Sequence, residues 1–270
     1  MKRITNIILL LLVSMVSYIV VSCSTVPITG RSQLNLIPSD EMLSMSYQQY
    51  GDFLKENKVS NNTAEVNMVK RVGVRIQHAV EKYMADNNLS DRLAGYNWEF
   101  NLVENDQVNA WCMPGGKVVV YTGILPITKD ETGLAVVLGH EIAHAIAEHG
   151  NERMSQGLLQ NLGGLGLMVA LKDKPAETRA LWMGVYGVGT TLAVMLPYSR
   201  THESEADHLG LIFMAMAGYD PHEAPAFWER MSAQNQGQAP PEFLSTHPSD
   251  QTRINDLKSW IPQAMKYYKK

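Results

Sequence analysis

The chain has 270 residues, 45% of them hydrophobic, and a formal net charge of -4, which suits one compact domain with a sizeable core. No basic patch is present to grip a phosphate backbone, so nucleic-acid binding is set aside. Lys2 and Arg3 precede an apolar run from Ile7 to Val21, and residues 1–22 read as a secretory signal. The run ends in Val20-Val21-Ser22-Cys23, which resembles a bacterial lipobox and makes Cys23 the lipidated first residue of the mature protein. An uncleaved membrane anchor is the alternative. Either way residues 23–270 are expected outside the cytoplasm as a single domain. Only Cys112 then remains as a thiol, so no internal disulfide framework is expected.

Two amphipathic helices come next. Ser39 can cap a segment running towards Asn57. Asn62 with Glu65 can cap a second, whose Val66, Val69, Gly73, Ile76, Val80 and Tyr83 recur at helical spacing. A short sheet follows: Trp98, Phe100 and Leu102 alternate with polar residues, Val108 to Met113 suits a second strand, and Lys117 to Tyr121 a third after the Pro114-Gly115-Gly116 turn. Cys112 in the second strand reads as packing. An edge strand beside the next helix suits pairing with extended peptide backbone, although which edge does so is not legible.

Next comes a helix with a plausible capping box at Thr128 and Glu131, and apolar residues from Leu134 to Leu138. It carries His140-Glu141-Ile142-Ala143-His144. Positions four apart share a helix face, so the two imidazoles can meet one ion, while Glu141 can reach a water on that ion without ligating it. Such a site needs a further protein ligand from another element. Arg200-Thr201-His202-Glu203-Ser204-Glu205-Ala206-Asp207 supplies one. Glu203 and Asp207 share a face that Glu205 leaves, which favours Glu203 as ligand, with Asp207 accepting the free ring N–H of a ligand His.

Between these motifs lie two apolar, Gly-rich segments, Leu158 to Leu171 and Ala180 to Leu196. The second is close to the length that crosses a bilayer. Buried or site-covering helices are favoured instead, because the glycines and threonines suit close packing inside protein. After Glu203 a helix is expected to stop at Gly218, and another to start at Asp220, Pro221 and Glu223. A polar, Pro-rich loop over Asn235 to Pro248 then precedes a last helix with Arg253, Ile254 and Leu257. His78, His149, His202, His208 and His222 are read as surface or packing residues.

The H-E-x-x-H motif, Arg200-x-x-Glu203-x-Glu205-Ala206-Asp207 and Thr246-His247-Pro248 together resemble metallopeptidase family forty-eight, the HtpX and Oma type. Val26-Pro27-Ile28-Thr29-Gly30 and Pro114-Gly115-Gly116 extend the likeness over most of the mature chain, nearest to the periplasmic lipoprotein branch of BepA and LoiP. The resemblance implies an α+β, mostly helical, zincin-like (gluzincin) domain with a short mixed or antiparallel sheet beside the motif helix. It implies one zinc ion on His140, His144 and Glu203, with Glu141 as catalytic base and Asp207 as orienting residue or proton donor. His247 is placed as a fourth ligand that keeps the site latent, as a transition-state donor with Arg253, or as a plain helix-start residue. The function it implies is a zinc endopeptidase of the bacterial cell envelope, lipid-anchored at the periplasmic face of the outer membrane. Its substrates would be misfolded or unassembled envelope proteins, hydrolysed by zinc-activated water. A chaperone-like assembly factor for outer-membrane proteins on the same fold is the alternative.

Overall fold

The computed structural model describes residues 23–191, 195–234, 242–248 and 251–269; the signal expected over residues 1–22 lies outside them. The chain divides into two compact units, one made of Met1–Ser39 with Glu148–Ser199, the other of Asp40–Ala147 with Arg200–Lys270.

In the second of these units, helices α1 (Ser39–Glu56) and α2 (Thr63–Asp86) precede a three-stranded sheet. Asn62 caps α2 by accepting from the Glu65 N–H, and Val69, Ile76, Val80 and Tyr83 are buried at the anticipated spacing. Gly73 is required there: a Cβ would sit 2.3 Å from the Phe100 ring. The strands β3 (Glu99–Val103), β4 (Ala110–Met113) and β5 (Lys117–Tyr121) stand in the order β3-β5-β4. β3 runs parallel to β5 and β4 antiparallel to it. The central β5 is buried at all five positions, as expected for a strand covered on both faces. The turn into it places Gly115 and Gly116 at φ +85° and +78°, a region that side chains disfavour.

The short helix α3 (Leu125–Thr128) leads to the motif helix α4 (Glu131–Ile146). Its cap is Asp130, which accepts from the Thr132 and Gly133 N–H groups; Thr128 instead donates to Leu125 O in the preceding turn, so the anticipated Thr128 cap is corrected. Every α4 residue from Gly133 to Ile146 is buried. The sheet edge β4 packs beside it. Later in the chain α7 (Leu196–Met216) ends before Gly218, at φ +79°. Asp220 makes a turn by accepting from the His222 N–H, so α8 (Glu223–Ala233) starts two to three residues later than expected. The expected loop contains a one-turn helix, α9 (Glu242–Thr246), ahead of α10 (Gln251–Ala264). The result is mostly helical α+β, with the short mixed sheet beside the motif helix.

The other unit holds a hairpin of β1 (Cys23–Thr25) with β2 (Ser32–Leu34), and helices α5 (His149–Ala170) and α6 (Ala176–Thr190). Here the expectation of buried helices fails. α6 has no buried residue, and Leu162, Val169, Leu181 and Val188 are each 61–69% exposed. The cause is geometric. The two helices turn Gly163 and Gly164 towards Tyr186 and Met183, which uses one face of each and leaves the opposite faces uncovered. Among the described residues no helix is long and apolar enough to cross a membrane.

Candidate metal centre

The site forms where α4 crosses α7. At the crossing, a Cβ on Gly139 would stand 2.9 Å from Gly210 O, and one on Gly210 would stand 2.9 Å from His140 N. Two glycines therefore let the backbones approach, and the His pair on one helix meets Glu203 and Asp207 on the other. Nε2 of His140 and of His144 are 3.1 Å apart. Glu203 Oε2 lies 3.3 Å from His140 Nε2, and its Oε1 lies 3.4 Å from His144 Nε2. His247, just after α9, brings Nδ1 to 3.1 Å from His140 Nε2 and 2.8 Å from Glu203 Oε2. All four side chains are buried, and their ligating atoms lie within 4.8 Å of one another.

These separations fit a metal ion. Zinc bonds of about 2.0–2.1 Å place tetrahedral ligand atoms about 3.3 Å apart, close to most of the observed spacings. The lone pairs are also oriented for it. His140 Nδ1 sits 2.9 Å from Asp207 Oδ1; donating to that carboxylate, it would turn the Nε2 lone pair to a bound ion. Burial opposes ionisation of Glu203, but the charge on His144 and hydrogen bonds from His140, His144 and His247 hold its carboxyl well below the usual range.

Around this cluster the other predicted residues take distinct places. Burial works against an ionised Asp207, yet the Arg253 charge and the bond from His140 keep its carboxyl low. Arg253 grips it with Nε and Nη2, both at 2.7 Å, and donates from Nη1 to Pro248 O. Arg253 thus braces Asp207, and its Nη1 also comes within 3.5 Å of Glu203 Oε2. Glu141 is buried and its Oε1 accepts no hydrogen bond among the described residues; it lies 3.5 Å from His247 Nε2. Burial pushes the Glu141 carboxyl up, which suits a base that must take a proton near neutrality. Cys112 faces this side, and burial and then the Glu141 charge push its thiol up, leaving an inert packing group.

Two aromatic residues at the site carry no sequence signal. The Arg253 guanidinium lies 3.4 Å over the Trp228 ring, and Trp228 meets His140 edge-on at 5.7 Å. Phe243 stacks on Trp228 and leans on His247. The remaining histidines stay outside the cluster: His78 is exposed on α2, His149 and His202 are buried in packing, His208 stacks on Trp260, and His222 is exposed beside Asp220.

Residues 72–261 match Peptidase family M48. The chain belongs to peptidase family M48. Among similar proteins, the mitochondrial metalloendopeptidase OMA1 of Schizosaccharomyces pombe is 31% identical over 88% of this chain and 66% of its own length. The OMA1 metalloendopeptidase of Bos taurus is 35% identical over 89% of the chain and 46% of its own length. The β-barrel assembly-enhancing protease of Yersinia pestis is 33% identical over 60% of the chain and 34% of its own length. The chain thus spans about half to two-thirds of the OMA1 relatives. These matches overturn the location expected from the sequence, lipid-anchored at the periplasmic face of a bacterial outer membrane. The relatives that match nearly the whole chain are mitochondrial by name, while the bacterial one covers far less. Family membership agrees with the zincin-like architecture of crossed helices and edge strand.

Proposed function

We propose that this M48 chain is a zinc-dependent endopeptidase, with one ion held by His140, His144 and Glu203. The observation that carries the reading is the convergence of buried ligand atoms at tetrahedral spacing beside Glu141, whose Oε1 accepts no hydrogen bond among the described residues. Zinc bound there supplies a Lewis acid that acidifies water and polarises a carbonyl. Glu141 takes the water's proton and passes it to the leaving amine. Asp207 holds His140 in one tautomer, and Arg253 with Trp228 holds Asp207. The family match runs through both compact units, which supports treating residues 23–270 as one functional domain.

The substrate binds as an extended strand along β4. Tyr121 N–H donates to Asn109 O, and in an antiparallel ladder this phase turns Ala110 and Cys112 backbone groups away from β5, to the open edge. Such pairing needs free peptide backbone, so the substrates are unfolded or unassembled protein segments. His247, at ligand distance from the same cluster, is a latch that α9 must withdraw. A client-holding role is the second reading, favoured by the name of the Yersinia relative, which joins assembly to proteolysis. Metal analysis of the purified protein, alongside cleavage of an unfolded protein with and without chelator, tests the proposal. One equivalent of zinc and chelator-sensitive cleavage are expected; cleavage that survives complete metal removal overturns it.

A further inference from the structure

The α5–α6 hairpin presents an apolar face that the metal centre does not use. Leu158, Leu162, Leu165 and Val169 on α5 and Leu181, Val185 and Val188 on α6 recur at three- to four-residue spacing, and all are at least 47% exposed. Each set forms one stripe on its helix. The hairpin's own closure does not consume these stripes, because Tyr186 packs against Gly163, its hydroxyl donates to Gln160 O, and Gln160 donates to Thr190. No charged residue occurs from Met154 to Leu171 or from Ala180 to Ser199. Charges sit at the connecting turn instead, as Lys172, Asp173 and Lys174. A contiguous apolar surface of this kind on a soluble face marks a contact with something apolar.

We propose that this face docks into the interfacial layer of a lipid bilayer, with the hairpin lying in the plane of the membrane. Among the described residues no helix is long and apolar enough to cross, and α6, with 15 residues, spans only about 22 Å at 1.5 Å per residue, against a hydrocarbon core of about 30 Å. The bilayer is chosen over other occupants by continuity with the N-terminus. The apolar run from Ile7 to Val21, taken here as an uncleaved anchor rather than a removed signal, directs this end of the chain to a membrane, and the chain that follows it is tied to the start of α5. Arg31 pairs with Glu152 at 2.7 Å, Leu36 N–H donates to Ser155 Oγ, and Asn151 donates to Ile37 O. Ten residues separate Val21 from Arg31, so the end of the apolar run lies within about 35 Å of that tie. A membrane that holds one is within reach of the other. Trp182, half exposed on the same helix, is the residue type that settles at lipid–water boundaries.

The test uses the full chain reconstituted with phosphatidylcholine vesicles whose acyl chains are brominated near the headgroup. The Trp182 signal is the difference in emission between the wild-type chain and Trp182→Tyr. Bilayer docking predicts that brominated lipid quenches this difference signal by half or more, and that iodide in the water does not. Circular dichroism of the variant confirms that its helices are intact. An unquenched signal overturns the proposal in each of its forms: open to iodide, the face is simply wet; shielded only at high protein concentration, it binds a second copy; shielded at all concentrations, residues 7–21 of the same chain cover it. None of these readouts depends on peptidase activity, so failure here and failure of the catalytic reading are separable.

Discussion

The motif helix α4 and the hairpin helices α5 and α6 are alike in sequence, apolar and dotted with glycine, yet they end in opposite surroundings. Along α4 every residue from Gly133 to Ile146 is buried, and its glycine is consumed by the crossing with Gly210. Along α6 nothing is buried, and a Cβ on Gly184 would touch no atom within 4 Å. Apolar composition says that a helix wants covering, but what covers it depends on residues elsewhere in the chain. On α4 the covering is protein, so polar groups placed in it are desolvated and must be paired or put to chemical use. On α4 it is Glu141 Oε1 that accepts no hydrogen bond among the described residues.

The largest effect expected from that difference is chemical. Glu141→Gln keeps the shape of α4 and removes no ligand, so zinc content stays at the wild-type level while peptidase turnover falls by about 10²–10⁴-fold, the usual worth of a general base. His140→Ala and Glu203→Ala lose metal and activity together. Wild-type turnover in Glu141→Gln, measured on an unfolded protein substrate, would break the link between the buried carboxylate and catalysis. Binding of the same substrate to Glu141→Gln separates cleavage from client holding.

Glycine substitutions sharpen the comparison directly. Gly210→Ala forces a Cβ to 2.9 Å from His140 N, and relieving such overpacking costs about 1–3 kcal/mol while moving a ligand helix. Gly166→Ala and Gly184→Ala meet open space and gain up to about 1 kcal/mol each from helix propensity. Chemical denaturation of the three variants should show opposite signs in the two regions. Equal effects would mean that the α4–α7 crossing is looser than its geometry.

Much of the site was legible because its chemistry follows a helical repeat. His140 with His144, and Glu203 with Asp207, are each four apart, and a period of about 3.6 puts each pair on one face. The strands were legible too: Val118, Val119 and Val120 are an unbroken β-branched run, and Lys117–Tyr121 became the central, fully buried strand. What escaped was non-local. Nothing near Gly139 or Gly210 announces that they meet, and Trp228 lies far along the chain from Arg253. Local choices between near-equal candidates also failed, as with Thr128 and Asp130, where the backbone turn at Lys129 decides which side chain reaches the free N–H groups. Ala180–Leu196 misled because glycine and threonine signal close packing without saying how many faces will be packed.

The brace behind His140 gives a smaller effect with a defined pH sign. Removing a carboxylate that orients a ligand imidazole typically costs 10–100-fold in metal affinity, so Asp207→Asn should weaken zinc binding by about that factor. Asp207 has a depressed carboxyl in the folded chain. Its contribution to stability is therefore fully present above the unfolded pKa of about 3.9 and is lost as pH falls through the lower folded value. Acid unfolding, followed with chelator present, should be shallower in Asp207→Asn than in the wild type. Identical acid curves would show that Arg253 and His140 do not stabilise the ionised carboxylate.

The smallest effect concerns the one cluster member carried outside the crossed helices. His247 Nδ1 stands 3.1 Å from His140 Nε2 and 2.8 Å from Glu203 Oε2, where a fourth ligand belongs, and a catalytic zinc keeps that position for water. A side chain there competes with water, so its removal should raise basal proteolysis a few-fold with zinc content unchanged. A transition-state donor gives the opposite result, a lower turnover number with KM little changed. The backbone suggests how the latch opens. Phe243 N–H donates to Val108 O, two residues before β4, so a peptide pairing along that edge presses on the segment that carries His247. If so, the gain from His247→Ala is largest with short or poorly pairing substrates and fades with long extended ones. A uniform gain across substrate lengths would leave His247 a ligand without a gate.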